Sequence, residues 1–351
     1  MAEFKWYEKA GQNSDVAVST RVRLARNLRR AVFPARANLS QKEAVVKEVR
    51  AALMNSNSVL SREFRFLPLG ELSPQAAASL AERHIVSPEF IADRQGKAVL
   101  VSEDESVSIM INEEDHLRIQ VLREGLALKE AAETADRIDT LLGETLDFAY
   151  DKDFGYLTQC PTNLGTGMRA SLMLHLPGLS GSGSMARVAA NLSKLGLTLR
   201  GAFGEGSKAV GEMYQLSNQI TLGLSENQAI ENLSAIAGQL MGEEKRFREA
   251  MCQEAGWQDR ISRAAGVLKS ARLMSGSEAA EQLSLVRLGL AEGMLEGLEI
   301  GEVNGLMVQS QPATLMAREG RGMEEKERDR RRAELLRGAC RELRDAAGCP
   351  R

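Results

Sequence analysis

Residues 169 to 176 read RASLMLHL, and this stretch decides the fold class. Leucine stands at every second position from Leu172 to Leu176, which is the side-chain period of a strand with one buried face. The opposite face carries more polar side chains, which are Arg169, Ser171, Met173 and His175. The stretch therefore predicts a β-strand with a core on one side and a polar surface on the other.

Further strands and helices surround this strand. Short apolar runs predict strands at 98–101, 107–111, 117–122, 197–203 and 212–216, the first two forming a hairpin. Helical spacing marks 42–54, 73–84 and 125–146, with Ser40 and Ser73 as N-caps of the first two. A polar loop at 180–184 leads into a further helix that ends at Gly196. Strands joined by short turns predict an α+β fold, a largely antiparallel β-sheet flanked by helices.

The pattern becomes almost wholly helical from Ser225 onward. Ser225 is a predicted N-cap, and Gln228 completes a capping box. The charge-rich end of the chain contains an apolar stripe through Leu336, Cys340 and Leu343. We therefore predict an α+β domain over 1–247 and an all-α C-terminal domain over 248–351.

Composition narrows the class of protein. The chain has 351 residues, with 45 basic and 48 acidic side chains, so a general attraction to nucleic acid or anionic membrane is not expected. No apolar run approaches the roughly 20 residues that span a bilayer, and the N-terminus lacks a signal pattern, which favours a cytoplasmic location. The four cysteines are scattered without metal-binding spacing, so we expect free thiols and no protein metal site.

Arginines begin or end several of the predicted strands. Arg21 and Arg23 are two residues apart, so both guanidinium groups lie on one strand face. Arg118 and Arg169 begin strands beside polar loops, and Arg200 lies near the end of one. A single arginine is usually a solvated surface residue, whereas converging arginines hold phosphate oxygens through forked, charge-assisted hydrogen bonds. The pattern indicates a site for a phosphorylated ligand.

Acidic and sulfur-bearing side chains lie close in sequence to these arginines. Glu114 belongs to the acidic loop 112–115, Glu205 follows Arg200, and Cys160 opens the loop 160–167. Acidic loops are commonly solvated turns, and a lone cysteine is more often a buried small hydrophobe than a reactive thiolate. Each of these signals is weak when it is taken alone.

Together, four motifs in this order closely resemble the catalytic domain of the ATP:guanidino phosphotransferases, the family of arginine and creatine kinases. They are STRVR at 19–23, NEEDHLR at 112–118, CPTNLGTGMRAS at 160–171 and RGAFGE at 200–205. This similarity covers about Val16 to Arg248. The segment RDRRRA at 328–333 also resembles the RDxxRA element of the bacterial McsB-type protein arginine kinases. With it the resemblance extends over essentially the whole chain.

The resemblance implies that the chain binds ATP and Mg²⁺, with the ion held mainly by phosphate oxygens and water. It assigns catalysis to Glu114, Glu205 and Cys160, and an allosteric phosphoarginine site to Arg328, Asp329 and Arg332. The residues that it assigns to the nucleotide are Ser19, Thr20, Arg21, Val22, Arg23, His84, Arg118, Arg169, Ala170, Ser171, Leu172, Met173, Arg200, Gly201, Ala202, Phe203 and Gly204.

The chemistry of the acceptor constrains these roles. The pKa of a guanidinium lies far above that of a carboxylate, so full proton transfer before the reaction would cost on the order of 11 kcal/mol. We therefore expect proton removal to accompany or follow formation of the P–N bond. Glu114 and Glu205 orient the guanidinium, with Glu114 the preferred base but the choice between them open, and Cys160 adds electrostatic orientation as a thiolate.

The resemblance implies a protein arginine kinase, because the helical N-terminal domain that encloses free arginine or creatine in the metabolite kinases is missing ahead of Ser19. The implied partners are protein substrates that present arginine, a zinc-binding activator, a heat-shock repressor and a Clp ATPase, and the implied assembly is a homodimer formed through the helical domain. The implied roles are marking of proteins for degradation and relief of heat-shock repression. Two alternatives stay open, a metabolite guanidino kinase and a non-catalytic adaptor that binds phosphoarginine.

Overall fold

An eight-stranded antiparallel sheet forms the centre of the first part of the chain. The computed structural model describes residues 4–56, 63–202 and 209–347. In spatial order the strands are β2 (Phe64–Pro68), β3 (Ala98–Ser102), β4 (Val107–Ile111), β5 (Leu117–Glu124), β1 (Ala17–Arg26), β8 (Met168–His175), β10 (Met213–Asn218) and β9 (Leu197–Gly201). A separate short hairpin pairs β6 (Tyr150–Asp151) with β7 (Gly155–Tyr156). The order and the antiparallel pairing confirm the predicted fold class.

One face of the sheet is the main hydrophobic core. The helices α1 (Leu39–Met54), α4 (Leu128–Gly143) and α7 (Glu226–Cys252) pack there. The alternation in β8 is confirmed, because Leu172 and Leu174 are fully buried in this core together with Val22 of β1. The opposite face is partly covered by two short helices, α2 (Pro74–Glu82) and α3 (Pro88–Ala92), and the rest of it is polar. The residues expected on the polar face of β8 therefore point away from the core.

Capping residues fix where the helices begin. Ser73 and Ser225 accept hydrogen bonds from backbone amides of the first turns of α2 and α7, as predicted. The prediction for α1 is wrong, because its N-cap is Asn38 and not Ser40. The side chains of Asn38 and Gln41 each accept from the other's backbone amide, and this reciprocal pair starts the helix two residues earlier.

The segment after β8 differs from the predicted loop. Residues 177–181 form a short helix, α5 (Pro177–Gly181), before α6 (Met185–Lys194). The buried carboxylate of Glu244 accepts hydrogen bonds from the amides of Gly178 and Leu179, each at 2.8 Å. A distant side chain on α7 thus satisfies the first amides of α5, and local sequence carries no sign of it.

The C-terminal part is a helical cluster with its own core. It contains α8 (Ala255–Ser270), α9 (Gly276–Ala291), α10 (Ile300–Gln309), α11 (Pro312–Glu319) and α12 (Glu325–Ala339). Leu336, Cys340 and Leu343 are buried in this core, as the apolar stripe indicates. The region also has a two-residue pairing of β11 (Leu295–Glu296) with β12 (Arg344–Asp345), which the sequence did not suggest. The predicted boundary at 247/248 lies inside α7 and stays a prediction.

Buried arginines join the two parts of the chain. Arg287 donates to the carbonyl of Asp15 at 3.1 Å and contacts Nδ1 of His175 at 3.1 Å. Arg248 donates to the same carbonyl at 2.8 Å and pairs with Glu292 at 2.6 Å. Both arginine side chains are almost completely buried, so these contacts fix the helical region against β8 and the start of β1. Within the described ranges, no helix is both long enough and apolar enough to span a membrane.

Candidate active site

Three neighbouring strands bring four of the predicted arginines onto one face of the sheet. Arg21 and Arg23 alternate along β1. Arg23 lies opposite Arg169 of β8 on one side, while Arg118 of β5 lies opposite Ala25 on the other. The antiparallel register therefore brings together side chains that are far apart in sequence. Arg23 and Arg169, for example, are separated by more than 140 residues.

These guanidinium groups lie close enough to disturb one another. Burial, and next Arg118, lower the pKa of Arg21 to about 10. Burial lowers the pKa of Arg23 well below its ordinary value, and Arg21, Arg118 and Arg169 lower it further. The buried Nε atoms of Arg23 and Arg169 have no hydrogen-bond partner among the residues that the structure describes. A cluster of this kind fits an anion with several oxygen atoms.

Polar residues of β8 and β10 orient Arg21. Its Nη2 donates to Oε1 of Gln215 at 2.7 Å, and its Nε lies 3.4 Å from Oγ of Ser171. Ser171 thus lies on the arginine face, as the alternation of β8 predicts.

The acidic loop 112–116 meets this cluster at Arg118. Arg118 donates from Nη1 to Glu113 at 2.8 Å and from Nη2 to Glu114 at 3.1 Å. The Oγ of Ser87 also donates to Glu113 at 2.7 Å. Glu113 is thus a member of the site that the sequence reasoning missed, although its place between Asn112 and Glu114 in the motif was an available signal.

Hydrogen bonds hold the acidic loop in one conformation. Asp115 accepts from the side chain of Asn27 at 2.6 Å and from the amide of Gln159 at 2.7 Å. Asn112 has a left-handed backbone with φ of 61° and donates to the carbonyls of Lys42 and Gly96. The carboxylate of Glu114 is half-buried, and burial raises its pKa above the ordinary value against the opposing effect of Arg118.

Cys160 and Glu114 line a common cavity. Its volume is about 460 Å³, and its wall also includes Arg23, Arg118, Arg169 and Asn163. Cys160 is half-buried at the start of a short 3₁₀ turn (Pro161–Asn163), with Sγ 3.0 Å from Oγ1 of Thr162. We call this space the acceptor cavity. Glu89 and Lys97 also line it, and no motif in the sequence pointed to either of them.

A second cavity continues the first along the arginine face. Its volume is about 470 Å³, it shares Arg23, Glu89 and Arg118 with the acceptor cavity, and it extends to Arg21 and His84. We call it the nucleotide-side cavity. His84 follows α2 with a left-handed φ of 61°, and burial, followed by Arg21, lowers its pKa to about 4. Its imidazole is therefore neutral at physiological pH.

The strand residues predicted to bind the nucleotide divide between two faces. Ser19 and Met173 lie opposite one another in the register of β1 and β8, on the same side as Arg21 and Ser171. The side chains of four others are buried and point to the opposite side of the sheet, namely Thr20, Val22, Ala170 and Leu172. Strand alternation leaves only the backbone of these four residues toward the arginine face, and their assignment to the nucleotide stays a prediction.

Arg200 lies at the edge of the sheet. It pairs in register with Gln215, whose side chain accepts from Arg21, but Arg200 itself is exposed and lies outside both cavities. Gly201 and Ala202 continue this edge, where the amide of Ala202 donates to Met213 at 2.8 Å. Phe203, Gly204 and Glu205 lie outside the described residues.

The three residues assigned to phosphoarginine lie on or near one turn of α12. Arg332 pairs with Asp329 at 2.6 Å and donates to the carbonyls of Ser310 and Met274, each at 2.8 Å. Only 2% of Arg332 is exposed. Arg328 is half-buried and donates to the carbonyl of Met323 at 3.0 Å. The structure thus groups Asp329 with Arg332 and shows Arg332 engaged by backbone carbonyls.

Within the described ranges, side chains that could form a protein metal centre are not clustered. Among the residues that the structure describes, no group of three or more histidine, cysteine, aspartate or glutamate side chains is arranged to hold a metal ion. The described cysteines, Cys160, Cys252 and Cys340, are free thiols.

Comparison with known proteins covers both parts of the chain. Residues 44–247 match the family model of the ATP:guanido phosphotransferase C-terminal catalytic domain, and residues 254–348 match that of the protein-arginine kinase McsB C-terminal domain. A protein-arginine kinase of Moorella thermoacetica is 45% identical over 95% of this chain and 96% of its own length. A protein-arginine kinase of Pelotomaculum thermopropionicum is 44% identical over 96% of this chain and 95% of its own length.

Solved structures share the architecture of the first part. Lombricine kinase superposes with a TM-score of 0.60 at 24% identity, covering 70% of this chain and 71% of the other, which shows a common fold. The duplicated taurocyamine kinase of Schistosoma mansoni, solved with transition-state analog components, gives a TM-score of 0.59 at 27% identity over 69% of this chain and 34% of its own. Two family models and relatives that match nearly from end to end agree: this chain belongs to the protein-arginine kinases of the ATP:guanido phosphotransferase family.

Proposed function

We propose that this chain transfers the γ-phosphoryl group of ATP to arginine side chains of proteins in the groove formed by the two cavities. The observation that carries the proposal is the contact between Arg118 and Glu114 beside the guanidinium groups of Arg23 and Arg169, whose Nε atoms are buried. A cationic cradle and a carboxylate that can align a guanidinium are thus adjacent. Relatives named protein-arginine kinases over nearly the full length support the choice of a protein acceptor.

The arginine face provides the phosphate side of the reaction. Arg21, Arg23, Arg118 and Arg169 present several donors in fixed positions, which is what a transferring phosphoryl group needs for its equatorial oxygens. The buried, unpartnered Nε atoms of Arg23 and Arg169 fit phosphate oxygens. Mg²⁺, when bound with ATP, neutralises phosphate charge, and Glu113 and Glu114 are the nearby carboxylates that could reach its water shell.

The acceptor cavity provides the other side. A substrate guanidinium donates to Glu114, while Cys160 lies on the same wall and adds negative charge when deprotonated. One guanidino nitrogen attacks the γ-phosphorus, the bond from that phosphorus to the bridging oxygen of ADP breaks, and ADP takes the electron pair. The nitrogen loses one proton to the Glu114 carboxylate as the P–N bond forms. We keep Glu205 in the proposal as the second carboxylate.

The helical region supplies the proposed regulatory site. We assign phosphoarginine to Arg328, Asp329 and Arg332, with arginine facing the phosphoryl group and aspartate facing the guanidinium. The hydrogen bonds of Arg332 to the carbonyls of Ser310 and Met274 use Nε and Nη1, so we assign its Nη2 to the phosphoryl oxygens. If Asp329→Ala leaves phosphoarginine binding intact, this assignment is wrong.

The family resemblance also supports a wider setting for the reaction. It comprises a homodimer in the cytoplasm, a zinc-binding activator, a heat-shock repressor as substrate and a Clp ATPase that acts on the marked proteins. These partners are part of the proposal and are separable from the chemistry of the groove.

The deciding experiment is mass spectrometry under non-acidic conditions of casein incubated with the protein and Mg-ATP. We expect phosphoarginine on casein, and we expect Glu114→Gln to abolish most of it while leaving ATP binding in place. A kcat/KM for free L-arginine equal to that for the protein substrate would instead indicate a metabolite kinase. ATP-independent binding of phosphoarginine proteins without transfer would indicate an adaptor.

A further inference from the structure

The nucleotide-side cavity is not formed by the sheet domain alone. Most of its wall comes from β1, β4, β5 and the segment from α2 to α3, but Gln311 of the helical C-terminal region also lines it. Gln311 is the N-cap residue of α11, more than 60 residues beyond the end of the catalytic-domain family match at 247. The helical region therefore reaches the space beside Arg21 and His84.

Two contacts fix the place of Gln311. The carboxylate of Glu82, the last residue of α2, accepts from the amides of Ala313 at 2.9 Å and Thr314 at 2.6 Å. It thereby caps the first turn of α11 and ties that helix to the segment that carries His84. On the other side, Arg332 donates from Nε to the carbonyl of Ser310 at 2.8 Å, one residue before Gln311.

The wall of the cavity combines two kinds of side chain. Arg21, Arg23 and Arg118 are cationic, whereas Val86 and Met110 are apolar. The Nε2 of Gln311 donates one N–H to the carbonyl of Met307 at 3.2 Å, which leaves Oε1 as an acceptor for a ligand beside the second N–H. A hydrogen-bond acceptor at this place suits a donor such as a ribose hydroxyl or an exocyclic amine.

We infer that Gln311 contacts the nucleoside part of ATP, so that the helical C-terminal region completes the nucleotide site of the kinase. Glu82 and Arg332 are positioning residues, which act by holding the start of α11 against the cavity. The inference rests on the proposed function, because it takes the phosphates to lie against the arginines.

The test is the dissociation constant of ATP measured by titration calorimetry for the full-length protein and its variants. Loss of one ordinary hydrogen bond predicts that Gln311→Ala weakens ATP binding about three- to tenfold, with kcat at saturating ATP nearly unchanged. Gln309→Ala is the matched control, because Gln309 ends the preceding helix and donates to Glu8 outside the cavity. We expect it to bind ATP like the unchanged protein.

A double-variant cycle tests the positioning role. If Glu82 acts through Gln311, Glu82→Ala raises the dissociation constant of ATP. The double variant then raises it by less than the product of the two single-variant fold-changes. Multiplicative effects in a folded double variant overturn the positioning role. If Glu82→Ala fails to fold, Gln311→Ala alone decides the nucleoside contact.

Comparison with Arg23→Ala separates this inference from the proposed function. Unchanged ATP affinity in Gln311→Ala, with a large loss in Arg23→Ala, overturns the inference and leaves the proposed reaction in place. Unchanged affinity in both variants shows that ATP does not lie on the arginine face, and the proposed function then fails as well. Equal losses in Gln311→Ala and Gln309→Ala indicate a structural disturbance and reject a specific contact.

Discussion

The guanidinium of Arg118 donates to the carboxylate of Glu114 at 3.1 Å, so the residue that we propose to bind phosphate and the residue that we propose to bind the acceptor form one ion pair. Arg118 lines both cavities, so this contact lies where the two cavities meet in the proposed groove. The same arginine donates to Glu113 at 2.8 Å, so its charge is already divided between two carboxylates. We therefore expect a γ-phosphoryl group that binds Arg118 to weaken its contact with Glu114 and to leave that carboxylate more available to the substrate guanidinium.

Replacement of Glu114 by glutamine tests its role as the base. We expect kcat to fall about 10²- to 10⁴-fold, because the amide accepts no proton, while the KM for ATP changes little. In the unchanged protein, burial raises the pKa of Glu114 above 4.5, so activity falls as pH drops through that raised value. The measurement is the rate of phosphoarginine formation between pH 5 and 8. A Glu114→Gln variant that keeps full activity would show that the base lies elsewhere.

Glu113 provides a comparison at the adjacent position. The carboxylate of Glu113 accepts hydrogen bonds from Arg118 and from Ser87. We therefore expect Glu113 to orient Arg118 rather than to contact the substrate guanidinium. We expect Glu113→Gln to raise the KM for ATP more than it lowers kcat. The reverse split in steady-state kinetics would exchange the roles of the two glutamates.

Alkylation distinguishes Cys160 from the structural thiols. Burial raises the pKa of both Cys252 and Cys340 to about 11, so few of those thiols are ionised at pH 8. Cys160 is half-buried in the acceptor cavity, and we expect iodoacetamide to modify it at least about tenfold faster than either buried cysteine. Peptide mass spectrometry at timed intervals measures the three rates. Equal rates for Cys160 and Cys252 would place Cys160 among the inaccessible thiols.

The buried pair of Arg26 and Asp139 stabilises the loop that carries Cys160. Arg26 donates to Asp139 at 2.8 Å and to the carbonyl of Thr166 at 3.0 Å, and its guanidinium lies 3.5 Å from the ring centroid of Tyr156. Because Arg26→Met leaves the carboxylate buried without a partner, we expect a loss of about 3–5 kcal/mol of unfolding free energy. Urea denaturation measures it.

The exposed pair of Arg29 and Asp147 is the control for that measurement. Nε of Arg29 lies 3.2 Å from Oδ1 of Asp147, but both side chains are more than half exposed. Arg29→Ala should therefore cost only about 0–1 kcal/mol. If the two variants lose similar amounts of unfolding free energy, burial of Arg26 does not determine how much it contributes to stability.

Local patterns in the sequence predicted the elements that local interactions form. The hairpin of β3 and β4, the alternation of β8 and the N-caps Ser73 and Ser225 all depend on residues within a few positions of one another. The helix α5 could not be predicted in this way, because Glu244 on α7 satisfies its first amides. The prediction of Ser40 as the N-cap of α1 was wrong because Asn38 also begins a capping box, with Gln41, and only backbone geometry separates the two positions.

The candidate site shows the same division. Arg21 and Arg23 were predicted to share a face because one strand fixes their spacing, whereas the pairing of Arg23 with Arg169 requires the register between β1 and β8. Gln311 and Glu82 enter the cavity through the packing of α11 on α2, which no motif encodes. Side-chain direction is likewise a property of each strand position. Val22 and Leu172 belong to the motif stretches, yet their side chains are buried in the main core.

His175 gives the unfolding free energy a defined dependence on pH. It is fully buried between the two parts of the chain, where Nε2 lies 2.8 Å from Oγ of Ser284 and Nδ1 faces Arg287 at 3.1 Å. Burial, followed by Arg287 and Arg248, holds its pKa well below 6.5. The folded protein thus keeps His175 neutral while the unfolded chain binds a proton, so its stabilising contribution is present above pH 6.5 and is lost as pH falls. Between pH 7.5 and 5.5 we expect the protein to lose about 1.4 kcal/mol more than His175→Gln. Urea denaturation of both proteins at the two pH values measures the difference, and parallel losses would show that His175 titrates alike in the folded and unfolded chains.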